Sequence, residues 1–201
     1  MIRLDNFDAL LTNLELTERR PLLIGIDGRP CSGKSTLTDL LIKELQAEGL
    51  FLDDFFIPQT EWPNHISPAF PFPYFRYNEF LQGVCGLAKG MLFEYQPYDW
   101  ATNRLEKARI IDPKNIIIVE GVSVLCEQLV PCFYKKIFVV SNKNNEFEAI
   151  CQRENNNINV WNELYLPSVD IYWRTNPWER ADILYAGRGL PDKEAINLFL
   201  G

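Results

Sequence analysis

The stretch from Leu22 to Thr36, LLIGIDGRPCSGKST, constrains this chain more than any other. Leu22, Leu23, Ile24 and Ile26 make a short apolar run, the pattern of a strand buried on both faces. Gly28 then opens the spacing G-x-x-x-x-G-K-[ST], closed by Gly33, Lys34 and Ser35. The context is the one a phosphate-binding loop requires: strand before, helix after. Glycine at 28 and 33 allows backbone angles closed to other residues, so successive N–H groups can form an anion nest over residues 28 to 36. That range contains Arg29, Pro30, Cys31 and Ser32, and Thr36 closes it. The first turn of the next helix adds unpaired N–H groups and a positive dipole end. Lys34 then reaches the β- and γ-phosphates, and the Ser35 hydroxyl can ligate Mg²⁺. Cys31 is either a small spacer or a reactive thiol.

Length and charge narrow the rest. With 201 residues the chain is expected to form one domain with a substantial core. Lys plus Arg is 20 and Asp plus Glu is 27, a net charge of −7. That excess argues against nucleic acid or an anionic membrane as partner. Five cysteines without a C-x-x-C pair, and a single His, do not form a zinc site and suit a reducing compartment. With no leader-like N-terminus and no apolar run of membrane-spanning length, the expected location is the cytoplasm. A homodimer is compatible with this sequence.

Further along, apolar runs end in acids. Leu50 to Leu52 precedes Asp53-Asp54, and Ile116 to Val119 precedes Glu120-Gly121. Ile137 to Val140 and Ile183 to Tyr185 are further strands. Helical spacing of Phe7, Leu10, Leu11 and Leu14 predicts a lead-in helix, and that of Leu37, Leu40, Leu41 and Leu45 predicts the helix after the loop, with Gly49 as its stop. Strands alternating with helices predict an α/β fold of three layers, the P-loop NTPase architecture, around a central and mainly parallel five-stranded sheet. Ligands in such sheets sit at the carboxyl ends of the strands. Asp27, Asp53 and Glu120 are therefore expected to meet around the phosphates. Residues 57 to 75 carry five prolines among aromatics and read as a loop, packed down or flanking a substrate pocket. Asn155 to Asn157 are expected to break the helix that contains Arg153, within a lid region at about residues 151–175.

Phosphoryl transfer needs a group that takes the acceptor's proton, and Asp53 is the candidate base. Asp54 competes with it, and adjacent strand residues face opposite ways. Glu120 ends a buried strand, where a carboxylate is costly unless paired or near metal, so it is assigned to the Mg²⁺ shell. Arg153 is a candidate for stabilising transition-state charge.

The segments GRPCSGKST, LDDFF, YQPYDW and IIIVEGVSVL together resemble the uridine kinase-like small-molecule kinases, which include uridine, pantothenate and nicotinamide riboside kinases and phosphoribulokinase. The resemblance covers most of residues 22 to 189. It implies ATP-dependent phosphorylation of a hydroxyl on a small molecule, with ATP and Mg²⁺ bound. It places the family's catalytic aspartate on Asp53 and its Walker-B-like acid on Glu120. Its substrate-contacting segment falls on Tyr98 and Asp99, with Trp100 beside them. Asn103 stands where uridine kinases carry a base-contacting His. Two other readings stay open: a nucleotide-binding regulator without turnover, and a GTPase-type switch suggested by Asn142-Lys143-Asn144-Asn145.

Overall fold

The computed structural model describes residues 1–153 and 158–199, with the side chains of 153 and 197–199 outside the description. In chain order the elements are β1 (Ile2–Leu4), α1 (Phe7–Leu14), β2 (Leu22–Gly28), α2 (Lys34–Leu45), β3 (Glu48–Phe51) and α3 (Tyr77–Ala88). Four short strands follow: β4 (Phe93–Tyr95), β5 (Tyr98–Asp99), β6 (Arg104–Leu105) and β7 (Arg109–Ile111). The chain continues with β8 (Ile116–Glu120), β9 (Lys135–Val140), α4 (Lys143–Arg153), α5 (Ile158–Val160), α6 (Leu166–Trp173) and β10 (Ile183–Ala186).

The central sheet runs β1-β10-β9-β2-β8-β3, with every pairing parallel. It has six strands where the sequence predicted five. The extra strand is β1, three residues paired Ile2 to Ile183 and onward. Three residues of which only Leu4 is buried carry no strand periodicity, so the edge position could be seen only in the pairing. The expected α/β architecture is otherwise present. The sheet is covered on both faces: α1 and α2 supply Leu10, Leu14, Leu37 and Leu41 to one core, and α3 supplies Phe80, Val84 and Leu87 to the other. β2, buried along its whole length, is the inner strand that the apolar run implied.

Helix α2 stops earlier than its glycine suggested. Leu45 is its last residue, and Gln46 adopts the left-handed cap at φ 50 and returns its N–H to the Ile42 carbonyl. Gly49 instead lies in β3, opposite Ile118, so the turn has to be complete before it. β3 ends at Phe51, and Leu52–Phe55 winds into a single 3-10 turn that carries Asp53 and Asp54. Residues 193–199 form a 3-10 segment. The expected helix break at Asn155 to Asn157 lies outside the described residues.

The strand order creates a crevice. From β2 the chain passes through α2 to β3 at one edge, while β8 and β9 flank β2 on opposite sides. Loops leaving the carboxyl ends of β2, β8 and β3 therefore open around one crevice, the place where such sheets bind ligands.

Candidate active site

The phosphate loop is built as its spacing required. Gly28 has φ +151, and a Cβ there would lie 2.5 Å from the Val139 carbonyl oxygen. Gly33, at φ +101, is the N-cap of α2. Cys31 also takes a positive φ, 58, which bends the loop over the helix N-terminus. The loop is braced from the far side of the crevice by Arg188, whose Nε donates to the Cys31 carbonyl at 2.9 Å and whose N–H donates to the Ser32 carbonyl at 2.8 Å. No sequence signal marked Arg188; a Gly-Arg-Gly turn after the last strand is legible only as a turn.

Lys34 is nearly buried. Its Nζ donates to the Arg29 carbonyl at 2.8 Å and lies 3.8 Å from Glu120 Oε1. The Ser35 hydroxyl donates to Glu120 Oε2 at 3.3 Å. Burial pushes Glu120 up to about 7, against the opposing pull of Lys34. A buried carboxylate so poorly compensated, beside a hydroxyl at a helix N-terminus, is a donor pair suited to a hard cation.

Asp53 lies on the same cavity as Lys34, Ser35 and Glu120. Asp54 turns the other way and accepts a hydrogen bond from the Tyr95 hydroxyl at 2.7 Å. The two aspartates diverge as expected, although a 3-10 turn rather than a strand separates them. Asp54 is not on the cavity, so the structure gives it no place beside the acceptor.

Asp27 is a correction. It was expected at the phosphates, yet it is fully buried and binds the connection after β8: the N–H groups of Ser123 and Leu125 donate to it at 3.1 and 2.8 Å. Gly28 N–H and the Tyr172 hydroxyl complete its shell at 2.6 and 2.5 Å. It organises the loops around the crevice without lining it. Arg29 is also withdrawn from the cavity. Its Nε meets Glu146 at 2.8 Å and its Nη1 meets Asp170 at 2.8 Å, with the guanidinium over the Trp173 ring. The Arg29 side chain thus ties the loop to α4 and α6, and only its backbone remains for phosphate.

The cavity, about 600 Å³, extends from the loop into an aromatic chamber. Tyr98, Trp100 and Asn103 are on its wall, as expected. Asn103 Oδ1 accepts from the Tyr98 hydroxyl at 2.7 Å and from Gln59 N–H at 3.2 Å, which turns its amide NH₂ away from both. Asp99 is half-buried and serves the turn instead, accepting from Ala101 N–H at 2.9 Å and the Thr102 hydroxyl at 2.6 Å. The proline-rich loop supplies Phe72, Tyr74 and Phe75 to the chamber, and Phe56 packs at a tilt of 41° against Trp100 with centroids 4.6 Å apart. Arg153 ends α4; its side chain lies outside the described residues. Missed from sequence were Trp161 and Tyr165, which roof the chamber from the segment after α5.

No protein-family model matches the chain. A uridine kinase from Macrococcus caseolyticus is 30% identical over 110 residues, covering 51% of this chain and 53% of that protein. A uridine kinase from Clostridium perfringens is 28% identical over 114 residues, covering 53% and 55%. The chain spans about half the length of these curated relatives. A solved structure described as a possible uridine kinase from Bacillus stearothermophilus superposes with a TM-score of 0.69 over 89% of this chain and 96% of that one, at 21% identity. The fold is that of the uridine kinase-like P-loop kinases. Phosphoribulokinase from Rhodobacter spheroides shares it at a TM-score of 0.60 and 12% identity, over 85% of this chain and 71% of that one. Among the described residues no helix is long and apolar enough to cross a membrane.

Proposed function

We propose that this protein is an ATP-dependent phosphotransferase that moves the γ-phosphoryl group to a hydroxyl of a small molecule, in the manner the names of its relatives suggest. The observation that carries the reading is the single cavity shared by Lys34, Ser35, Asp53 and Glu120 at one end and by Tyr98, Trp100 and Asn103 at the other. A site of this size suits one small acceptor beside a triphosphate tail.

The residues fit nucleotide and Mg²⁺. Among the described residues there is no cluster of three or more acidic, Cys or His side chains able to cage an ion. That matches a cation held by one hydroxyl and one carboxylate, Ser35 and Glu120, with phosphate oxygens and water filling its shell. Magnesium would neutralise charge between the outer phosphates. The N–H groups of Cys31 and of Gly33 to Thr36 hold the phosphate oxygens, and the Lys34 ammonium meets the charge that develops on the transferred group. Asp53 orients the acceptor hydroxyl and takes its proton as the new P–O bond forms and the bond to the leaving diphosphate breaks. Tyr98, Trp100 and Asn103 hold the acceptor for in-line approach. The setting we infer is cytoplasmic.

The test is incubation with ATP, Mg²⁺ and a panel of nucleosides and vitamin precursors, followed by mass spectrometry of the acceptors. One acceptor gaining 80 Da, with ADP formed in equal amount, supports the reading (~80 Da being the mass of one added phosphoryl group). Tight ATP binding without transfer to any acceptor would instead favour a nucleotide-binding regulator.

A further inference from the structure

Two cysteines far apart in the chain meet away from the crevice. Cys85 lies in α3, and Cys132 ends the 3-10 turn Val130–Cys132 that leads into β9. Their sulfurs stand 3.4 Å apart across a sequence separation of 47. Both positions are fixed by regular structure. Cys85 sits within a helix anchored by buried Phe80, Val84 and Leu87, and Cys132 N–H donates to the Leu129 carbonyl at 2.8 Å. A disulfide bond is ~2.05 Å long, so the sulfurs have to close by about 1.4 Å, which a small turn about a side-chain torsion supplies. Both residues are half-buried and within reach of a small oxidant, whereas the neighbouring Cys126 is buried.

The two thiols differ in their surroundings. Burial pushes the Cys132 thiol up to about 12, and the Cys85 sulfur beside it adds to the rise, while Lys89 at the end of α3 pulls the other way. Cys132 therefore keeps its proton at neutral pH, which leaves Cys85 as the sulfur that meets an oxidant first. With a peroxide as oxidant the chemistry closes in two steps. The Cys85 sulfur attacks one peroxide oxygen, the O–O bond breaks, a sulfenic acid forms on Cys85, and the second oxygen leaves as water with the Cys85 proton. The Cys132 sulfur then attacks the Cys85 sulfur, the S–S bond forms, and the sulfenic oxygen leaves as water with the Cys132 proton. The two thiols lose two electrons, and the peroxide gains them.

We propose that Cys85 and Cys132 form a reversible modification site, a dithiol that peroxide closes into a disulfide stapling α3 to the connection between β8 and β9. The closed loop contains Tyr98, Trp100, Asn103 and Glu120. The bond restricts the unfolded chain over that span and so stabilises the fold around the site. α3 is itself bonded to the turn that carries Asp53: Arg76 N–H donates to the Phe55 carbonyl at 2.7 Å, and Arg76 Nη2 to the Asp54 carbonyl at 2.9 Å. In a reducing compartment a bond of this kind is transient and reports oxidation. The inference goes beyond the kinase reading and stands or falls without it.

Peptide mapping of the folded full chain is the test. Protein reduced with dithiothreitol and then freed of it is exposed to hydrogen peroxide, blocked with iodoacetamide, digested, and analysed by mass spectrometry without reduction. The expected product is a peptide pair joined from Cys85 to Cys132 and released by dithiothreitol. The melting temperature is expected to rise by at least about 5 °C on oxidation and to return on reduction. Cys85→Ser and Cys132→Ser each remove both the link and the rise. Cys85 and Cys132 recovered as alkylated thiols or sulfinic acids after peroxide, or a link to Cys126 in place of this one, overturns the inference. So does a melting temperature that stays constant or falls as the link forms.

Discussion

Lys34 Nζ and Glu120 Oε1 sit 3.8 Å apart at the floor of the crevice, both side chains about nine-tenths withdrawn from solvent. The separation is too long for a tight ion pair, and the Lys34 hydrogen bond goes to the Arg29 carbonyl instead. Two opposite charges are thus held near one another without full mutual satisfaction. That is the expected state of groups arranged for a triphosphate and its cation.

The metal-free protein should be destabilised as Glu120 ionises. Its folded value, raised by burial to about 7, lies above the ordinary value of 4.5. The folded state therefore holds the proton more tightly than the unfolded chain between those limits. Stability is highest below about 4.5 and falls as pH rises to about 7, by about 3 kcal/mol from this group. Glu120→Gln should flatten that slope, and urea denaturation at pH 5 and pH 8 in EDTA measures it. Equal slopes in both proteins would remove Glu120 as the cause.

Arg29 should matter more for folding than its place in a nucleotide loop suggests. Its loss leaves Glu146, buried at 3% side-chain exposure, without its cation. Arg29→Met is expected to cost about 3–5 kcal/mol by thermal melting. Asp170→Asn, which breaks the arm to a half-exposed carboxylate, should cost less than about 1 kcal/mol. Similar losses in the two variants would contradict the asymmetry.

Gly28→Ala places a methyl group 2.5 Å from the Val139 carbonyl oxygen at a backbone angle that L residues rarely adopt. The loop has to move away from β9, and the N–H nest moves with it. Fluorescent ATP-analogue titration should show at least tenfold weaker binding while circular dichroism keeps the α/β signature. Unchanged affinity would mean that the nest is formed elsewhere.

The parts legible from sequence were those governed by local rules. The loop at residues 28–36 and the strands that meet there follow from spacing and periodicity; the divergence of Asp53 from Asp54 was expected from strand alternation and comes instead from a 3-10 turn. What escaped was set by tertiary pairing. β1 has too few residues to show a period, and it exists because β10 offers it an edge. Asp27 read as a phosphate-side acid because it ends a strand, but the connection after β8, the Tyr172 hydroxyl and the Gly28 N–H together occupy its hydrogen-bonding capacity. Asp99 resembled a substrate contact, and its own turn uses it as a cap. Trp161 and Tyr165 were hidden because a π turn follows neither the 3.6 nor the 2.0 period.

Asp53 decides the account. Wild-type protein and Asp53→Asn would be mixed with γ-labelled ATP, Mg²⁺ and the phosphorylated acceptor's parent alcohol, and quenched within one turnover. The expected result is transfer slowed at least about 100-fold in Asp53→Asn, with ATP affinity within about threefold of wild type. Transfer at the wild-type rate in that variant would contradict the assignment of Asp53 as the base and, with it, the arrangement of donor and acceptor in this cavity.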